Sequence, residues 1–485
     1  MSSLKKQGLT ALIWDFFGKL STQGMGFIVT IILARLLEPS DFGLVAMIMV
    51  VVGMAQVFSD VGLGSALIQK KEVLSIHYSS VFYFNLSIAF ILALITYLSA
   101  DSVASFYENK QLVPLIEVIS ILYILNALSS MQTIKLRKQL LYSVITKGRV
   151  IASVLSGVIG VGLAYKGAGV WSLVGQMLSH SIFNNVYLWL FSGWRPRTDF
   201  SFRALRQLWA FGFRMFIVSL MNAITTRLDF LIIGKLFPVA TLGYFQRAKS
   251  LNLLVIQYTS GSLMSVLFPI LSEVQTDLVR FRNIVNESLN ILAALVFLLV
   301  GCLYLSSENI IVFLYSDKWL PSVQYMELLL LSAFSYPLNA LYVNILSSRG
   351  NSKSFLKMAI IKKLIFVTNL ALGFTWGIKG YLIGLIFVSF INIYISIHFS
   401  SREIGVSKWL LGKPLLVQMF IWLVSLSLTL IFLEKVELSK FAEFLVSNTV
   451  FVVIFIFCNW LFKSGSWLSI SKQASPLYIK YFKKS

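Results

Sequence analysis

Long apolar stretches separated by short polar breaks dominate the chain from Leu9 to Leu461. Crossing a hydrocarbon core about 30 Å thick takes roughly 20 helical residues, and fourteen stretches approach or exceed that length. Each is predicted to be an α-helix, because the backbone polar groups of a membrane segment must bond within the segment. The predicted spans are 10–36, 43–69, 79–104, 112–134, 150–165, 168–192, 208–235, 241–271, 288–306, 322–347, 354–376, 380–400, 413–433 and 441–462.

The composition supports an all-α integral membrane protein. Of the 485 residues, 57% are hydrophobic and only 13% are charged, which lies outside the range of soluble proteins. The first span follows two lysines as a signal peptide would, but its length and its internal Asp15 and Lys19 predict that it remains uncleaved. The two cysteines, Cys302 and Cys458, lie inside apolar stretches, so no disulfide framework is indicated.

The net charge of +21 describes topology rather than nucleic-acid binding, because the basic residues are spread over many short loops. Alternate loops hold most of them, and these loops are predicted to be cytoplasmic by the positive-inside rule. Both termini are then cytoplasmic, which requires an even number of spans. The intervening, outer loops hold only Lys110, Lys166, Lys235, Lys318, Lys379, Lys435 and Lys440.

The sequence repeats itself at an offset of about 200 positions, which indicates an internal duplication. Each copy would hold six helices, so both copies have one orientation and are related by an axis along the membrane normal. The substrate path is expected between them. The echoing segments are Arg35–Leu44 and Lys235–Tyr244, Leu125–Leu128 and Leu338–Leu341, and Gly169–Trp171 and Gly377–Tyr381.

This repeat predicts five regions along the chain. The linker carries the helix-start residues Pro196, Asp199 and Ser201 and is expected to lie on the inner leaflet. The tail is expected there as well, through attraction to anionic lipid. The regions are an N-terminal six-helix lobe (1–192), a cytoplasmic amphipathic linker (193–207), a C-terminal six-helix lobe (208–401), two additional spans (402–463) and a basic cytoplasmic tail (464–485).

Apart from charges near the span ends that are assigned to the loops, thirteen charged residues fall inside predicted spans, where each costs about 2.5 to 3.5 kcal/mol at the bilayer centre. Residues near helix ends, such as Arg35, Glu117 and Glu327, can extend to the interface. For the others, two interpretations stay open. One is structural ion pairing, because Asp15 and Lys19 are four positions apart and Arg227 lies near Asp229.

The other interpretation is a water-filled cavity that binds an anion, since the basic residues in the spans outnumber the acids. Arginine and lysine recognise phosphate through charge-assisted hydrogen bonds, so a pyrophosphate or an acidic sugar would suit such a cavity. The candidate substrate-binding residues are Lys19, Arg214, Arg247, Lys249, Lys362 and Lys363. The candidates for gating or coupling are Asp15, Asp60, Arg227 and Asp229.

No phosphate-binding loop of the Gly-rich Lys-Ser/Thr type is present, and the three histidines have no second ligand at metal spacing. No metal, cofactor or enzymatic activity is therefore expected. Transport would be driven by an ion gradient, with H⁺ or Na⁺ as the possible coupling ion, or by the substrate gradient. Asp15, Asp60 and Asp229 are candidate carriers of that ion, and they are equally suited to be counter-ions of the nearby cations.

The residues from Phe27 to Lys71 resemble the start of Wzx-type polysaccharide flippases of the multidrug/oligosaccharidyl-lipid/polysaccharide superfamily. The stretches that carry the resemblance are Ile32–Leu37, Asp41–Met47 and Phe58–Lys70. The branch it resembles includes exporters of colanic acid, teichuronic acid and other exopolysaccharides.

The resemblance implies a MATE-like fold in the bacterial cytoplasmic membrane. It also implies alternating access and movement of an undecaprenyl-pyrophosphate-linked oligosaccharide to the periplasmic leaflet for surface polysaccharide or lipopolysaccharide biosynthesis. The implied partners are the lipid-linked anionic oligosaccharide, membrane lipids, and the polymerase and glycosyltransferases of the same pathway. Two alternatives remain: a cation-coupled multidrug antiporter of the same fold, and a membrane-embedded glycan polymerase or transferase.

Overall fold

The computed structural model describes residues 2–436 and 439–471, and it describes their side chains except for 2–9, 12 and 254–266. The backbone forms two compact units, Met1–Gln246 and Arg247–Ser485. They are called here the N-terminal and the C-terminal unit. The predicted basic tail lies outside the described residues from position 472 onward.

The N-terminal unit contains ten helices and the first residues of an eleventh. A 3-10 turn, Gln56–Ser59, separates the second helix from the third. The helices are α1 (Ser2–Leu36), α2 (Pro39–Ala55), α3 (Leu63–Gln69), α4 (Ser75–Leu98), α5 (Ala100–Phe106), α6 (Leu112–Ile119), α7 (Ile121–Lys138), α8 (Tyr142–Tyr165), α9 (Val170–Phe191), α10 (Phe202–Leu236) and the start of α11 (Val239–Glu273).

The C-terminal unit contains the rest of α11 and the helices that follow it. Short 3-10 turns at Asp317–Trp319 and Phe374–Trp376 precede α14 and α17. The helices are α12 (Leu278–Leu305), α13 (Ser307–Tyr315), α14 (Pro321–Ala333), α15 (Ser335–Ser348), α16 (Ser352–Gly373), α17 (Gly377–Ile404), α18 (Lys408–Leu433) and α19 (Lys440–Leu461).

The protein is an all-α membrane protein. Among the described residues, 11 helical stretches are long and apolar enough to cross a membrane. One of them, Ser352–Ile404, comprises both α16 and α17, and α9 and α11 are not among the 11. The predicted number of fourteen spans therefore stays a prediction.

The second predicted span, 43–69, is wrong as a continuous helix. Val61 and Gly62 have φ values of 43° and 74°, in the left-handed region that a right-handed helix cannot include. Val61 is β-branched and strained there, whereas Gly62 adopts this conformation freely. The Asp60 carboxylate accepts a hydrogen bond from the backbone N–H of Gly64 at 3.0 Å, so the chain restarts as α3 with its first turn capped.

The linker was expected to lie on the inner leaflet, which stays a prediction, and the structure shows residues 193–201 docked on the N-terminal end of α4. The backbone N–H groups of Arg197 and Ser201 donate to the hydroxyls of Ser79 and Ser80 at 3.0 and 2.9 Å. Trp194 is buried, and its ring lies 5.7 Å from that of Phe82. The linker is thus held by protein contacts within the N-terminal unit.

Helix α10 begins at Phe202, as the helix-start signals predicted, because the Ser201 hydroxyl accepts a hydrogen bond from the N–H of Ala204. It then continues unbroken to Leu236. No helix end separates the predicted linker from the seventh predicted span at 207/208, because the last six residues of the linker, 202–207, and the span belong to one helix of 35 residues.

The echoing segments around Gly43 and Gly243 lie against each other in a reciprocal arrangement. A methyl group added at Gly43 would collide with the carbonyl oxygen of Val239, and one added at Gly243 would collide with the carbonyl oxygen of Pro39. Only glycine lets the two backbones approach this closely. Helices α2 and α11 start at equivalent places of the two repeats, Pro39 and Val239, so the contact has local two-fold character.

Candidate functional site

The cations of the predicted cavity fall in both units, and each unit is described by itself. In the N-terminal unit, Lys19 forms an ion pair with Asp15 at 2.6 Å on one face of α1. The Lys19 side chain is 63% exposed and that of Asp15 is 33% exposed. The predicted structural pairing of these two residues is therefore present.

Two arginines join this pair, and the sequence analysis missed both. A small pocket between α1, the end of α7 and the start of α8 is lined by Asp15, Lys19, Arg137 and Arg149. We call it the cationic pocket, because it holds three cations and one carboxylate. The predicted fifth span begins at 150 and so leaves Arg149 outside it, whereas α8 begins at Tyr142 and includes Arg149.

Helix α10 carries three further candidates, which have separate environments. Arg214 is exposed. Arg227 donates to the backbone carbonyl of Met49 on α2, so its guanidinium is bound by the neighbouring helix rather than by Asp229. Asp229 is buried and accepts a hydrogen bond from the N–H of Phe230 at 2.9 Å.

Asp60 lies at the break between α2 and α3. Besides capping α3, its carboxylate accepts a hydrogen bond from the Asn85 side-chain amide of α4 at 3.1 Å. The break had not been predicted, although Gly62 was a signal for it. A carboxylate that holds a helix start in place has a structural task here. Its predicted part in coupling stays a prediction.

In the C-terminal unit, Lys362 of α16 is held by neutral groups. Its ammonium donates to Asn339 Oδ1 of α15 at 3.0 Å and to the hydroxyl of Ser396 on α17. An ammonium has three N–H donors, so one donor is left over. No carboxylate among the described residues forms an ion pair with Lys362, and its charge stays uncompensated within this unit.

The other cations of the C-terminal unit differ from Lys362. Lys363 is partly exposed, and the described contacts include no hydrogen bond from its ammonium. Arg247 near the start of the unit interacts with the buried Tyr315 hydroxyl of α13. Lys249 lies on α11, as Arg247 does, and is partly buried.

The same asparagine–serine pair occurs in both units. Ser396 of α17 donates to Asn339 Oδ1 of α15 at 2.6 Å, and Ser181 of α9 donates to Asn126 Oδ1 of α7 at 3.2 Å. Asn126 and Asn339 belong to the echoing segments of the sequence. Arg149 and Lys362 are separated by the same number of residues as these two asparagines. The repeat therefore aligns Arg149 with Lys362 and could have identified Arg149 as a further candidate cation.

In the N-terminal unit, the Asn126–Ser181 pair borders a cavity and does not contact a lysine. A cavity of about 420 Å³ lies within the N-terminal unit, and we call it the neutral cavity. No charged residue lines it, and the cationic cavity predicted between the two repeats stays a prediction. The lining residues are Gly26, Met49, Val52, Gln56, Leu122, Asn126, Ser153, Ser156, Gln176, Met177, His180 and Ser181.

An ion pair on the predicted outer side joins Lys235, at the end of α10, to Glu108 in the loop after α5. Their Nζ and Oε1 atoms are 2.6 Å apart. The hydrogen bond and the positive charge of Lys235 hold the pKa of Glu108 below its usual range. As for metals, the described residues contain no group of three or more His, Cys, Asp or Glu side chains that could hold an ion.

Comparison with known sequences agrees with this architecture. Residues 32–324, more than half of the chain, match the family described as "Polysaccharide biosynthesis protein". The chain is 22% identical to the lipopolysaccharide biosynthesis protein WzxC of Escherichia coli, over 86% of this chain and 87% of that protein. It is 28% identical to the succinoglycan biosynthesis transport protein ExoT of Rhizobium meliloti, over 66% of this chain and 65% of that protein.

Solved structures show the same fold. A structure of the lipid II flippase MurJ in an inward closed conformation covers 94% of this chain and 98% of its own, with a TM-score of 0.73 and 16% identity. An inward-facing multidrug resistance MATE family transporter of the MOP superfamily covers 80% and 96%, with a TM-score of 0.60 and 14% identity. The predicted MATE-like fold is confirmed.

The fold and the family match define a multi-pass membrane transport protein. The chain belongs to the polysaccharide biosynthesis protein family, the Wzx-type flippase family of the multidrug/oligosaccharidyl-lipid/polysaccharide superfamily. The resemblance read from Phe27–Lys71 is thereby confirmed. Members of this family are transporters rather than enzymes, as predicted.

Proposed function

We propose that the protein is a flippase that moves an undecaprenyl-pyrophosphate-linked, anionic oligosaccharide from the cytoplasmic to the periplasmic leaflet. The observation that carries the proposal is the partly buried Lys362 ammonium, which has neutral partners and one donor left over. A cation in a membrane protein is costly unless an anion or water reaches it. A phosphate or a sugar carboxylate supplies that anion.

The names of the relatives support the same substrate class. The Escherichia coli relative is named for lipopolysaccharide biosynthesis, the Rhizobium relative for succinoglycan transport, and the solved structure of the same fold for flipping lipid II. The inferred partners in the cell are the glycosyltransferases and the polymerase of the same pathway. H⁺ or Na⁺ coupling through Asp15, Asp60 or Asp229 remains part of the proposal.

The architecture that we propose has fourteen spans in two six-helix lobes, with 1–192 and 208–401 related by an axis along the membrane normal. Counting α16 and α17 separately and adding α9 and α11 to the apolar stretches gives this number. The reciprocal contacts of Gly43 and Gly243 support the axis, since each repeat contributes the same glycine to the same crossing. The helices of 402–463 are the additional pair.

Both termini are proposed to be cytoplasmic, in a bacterial inner membrane, because basic residues crowd alternate loops. Single cysteines at Asp101 and Asp317 should react with an impermeant maleimide added to intact cells. Cysteines at Arg197 and Lys353 should react only after the membrane is permeabilised. External labelling at Arg197 or Lys353 would reverse the proposed orientation.

A multidrug antiporter of the same fold is the second candidate, and the MATE transporter match supports it at the level of the fold. The charges favour the flippase. A cavity for cationic drugs would be acidic or aromatic, whereas Lys362 and the cationic pocket present positive charge. Deleting the gene separates the two candidates, because only the loss of a flippase stops surface glycan.

In the deletion strain, we expect surface polysaccharide to disappear and a single lipid-linked repeat unit to accumulate on the cytoplasmic leaflet. Radiolabelled sugar followed into the lipid fraction measures the accumulation, and protection from periodate in intact cells gives its side. A repeat unit that accumulates on the periplasmic side would indicate a polymerase instead. Normal surface glycan without accumulation would contradict the flippase.

A further inference from the structure

The neutral cavity has unused hydrogen-bonding groups. Four of its polar side chains make no hydrogen bond to another described residue: Gln56, Ser153, Gln176 and His180. None of their polar atoms is sealed off from solvent without a partner. Amides, a hydroxyl and an imidazole offer both donors and acceptors without net charge.

The wall of the cavity is fixed in place on its other side. Asn126 Oδ1 accepts from the Ser181 hydroxyl, and the Asn185 amide holds the carbonyl of Leu125 at 2.7 Å. The Ser156 hydroxyl bonds back to the Ser153 carbonyl at 3.2 Å. The polar lining therefore combines held and unengaged groups on three helices, α7, α8 and α9, and on the 3-10 turn Gln56–Ser59, as a pre-formed binding site does.

The position of the cavity relates it to the cationic pocket. Both are lined by α1 and α8, with Arg149 at the pocket and Ser153 at the cavity, one helical turn apart. Arg149 also lies close enough to the His180 imidazole of the cavity for an electrostatic interaction. A ligand that spans both would meet cations first and neutral hydrogen-bonding groups one turn further along.

We infer that the neutral cavity is a carbohydrate subsite, which takes the sugar next to the diphosphate of the transported lipid. Sugar hydroxyls both donate and accept, as the free cavity groups do, and a neutral ring needs no counter-charge. The apolar lining of Met49, Val52, Leu122 and Met177 suits the C–H faces of a ring. A volume of about 420 Å³ lies within the roughly 300–1,000 Å³ usual for small-molecule sites. The inference rests on the proposed function.

The test compares ligands that differ only in the sugar. Purified protein in nanodiscs is titrated with undecaprenyl diphosphate and with undecaprenyl diphosphate carrying glucose, galactose or N-acetylglucosamine. The wild-type protein should bind at least one sugar-bearing form more tightly than the bare lipid. Gln176→Leu removes the amide at nearly constant volume, and Ser153→Leu fills the cavity. Each should reduce the sugar-dependent gain by about fivefold, the effect of one or two lost hydrogen bonds.

The matched control is Gln139→Leu, which makes the same exchange at an exposed position beyond α7. It should keep the wild-type preference, and all three variants should keep their affinity for bare undecaprenyl diphosphate. A wild-type protein that does not distinguish any sugar-bearing form, or cavity variants that keep the full preference, would overturn the carbohydrate subsite. Variants that weaken the bare lipid equally would assign the cavity to the lipid diphosphate and overturn it as well. A wild-type protein that binds none of these lipids would instead refute the proposed function.

Discussion

The two asparagine–serine pairs have the same construction and different occupants. In the C-terminal unit, the Asn339–Ser396 pair receives the ammonium of Lys362. In the N-terminal unit, the Asn126–Ser181 pair lines the neutral cavity, and the cation at the repeat-equivalent position, Arg149, lies in the cationic pocket instead. One repeated motif thus provides a fixed positive charge in one unit and an open polar space in the other.

The predicted cations of the two units also differ in whether an acid neutralises them. Lys19 is exposed and already neutralised by Asp15, so it contributes little unless the ion pair opens. Lys362 is held in place and has no acidic partner within its unit. Of the cations predicted from sequence, Lys362 is therefore expected to matter most for an anionic substrate.

The largest effect is expected from Lys362→Gln, which keeps polarity and removes the charge. A lost charge-assisted hydrogen bond is worth about 1.5 to 3 kcal/mol, so export should fall by at least about tenfold. Surface glycan per unit of membrane-inserted protein is the measurement. The adjacent Lys363→Gln is the control and should export within about twofold of wild type. Equal losses of export in both variants would show that the charge of Lys362 matters no more than that of Lys363.

Removing the asparagine should destabilise the two units unequally. Asn339→Leu deprives a partly buried ammonium of one acceptor, which costs about 1–3 kcal/mol, whereas Asn126→Leu deprives only a neutral hydroxyl of its acceptor and costs about 1 kcal/mol. Thermal unfolding of the purified variants in detergent measures both. A larger loss for Asn126→Leu would show that Lys362 does not depend on its neutral partners.

The effect of Lys19→Gln should be smaller, because Arg137 and Arg149 remain in the cationic pocket. Export should fall by about two- to threefold, and the Lys19→Gln/Arg149→Gln double variant should lose more than the two single effects combined if both cations meet one anion. If the fold-loss of export in the double variant equals the product of the two single fold-losses, the two residues act independently. Asp15→Asn should change stability by less than about 1 kcal/mol, as expected for an exposed ion pair.

The smallest effect concerns Glu108 and Lys235. The pKa of Glu108 is lowered by Lys235, so the stabilisation from this pair is present above the ordinary pKa of a glutamate and is lost as the pH falls through the lowered value. The difference in melting temperature between wild type and Glu108→Gln should therefore be small at neutral pH and vanish in acid. A difference that grows in acid would contradict this assignment.

Much of the fold followed from the sequence because membrane helices are defined by local hydropathy. The helix ends at Leu36 and Leu236 lie where the echoing segments placed them. The break at Asp60–Gly62 was missed because apolar residues continue on both sides of it. The loop charges around the linker did not reveal its docking, which depends on Ser79, a residue of another helix.

The cation environments were harder to predict because they depend on which helices pack together. Spacing along α1 correctly gave the Asp15–Lys19 pair, whereas Arg227 found the carbonyl of Met49 on another helix. The neutral partners of Lys362 come from α15 and α17, and no pattern within α16 points to them. Among the sequence patterns, only the internal repeat, which aligns Asn126 with Asn339, indicated which residues of different helices have equivalent surroundings.

The most direct test of the account is lipid movement by the purified protein. Vesicles are prepared with a fluorescent undecaprenyl-diphosphate-linked oligosaccharide in both leaflets, and dithionite is added outside to quench the label that it can reach. With wild type and Lys363→Gln, we expect nearly all of the label to be quenched. With Lys362→Gln, the inner-leaflet label should be quenched at least about tenfold more slowly than with wild type, and in protein-free vesicles it should stay protected. Protection of the inner-leaflet label in vesicles that contain the wild-type protein would contradict the flippase, and quenching with Lys362→Gln at the wild-type rate would contradict the role of its charge.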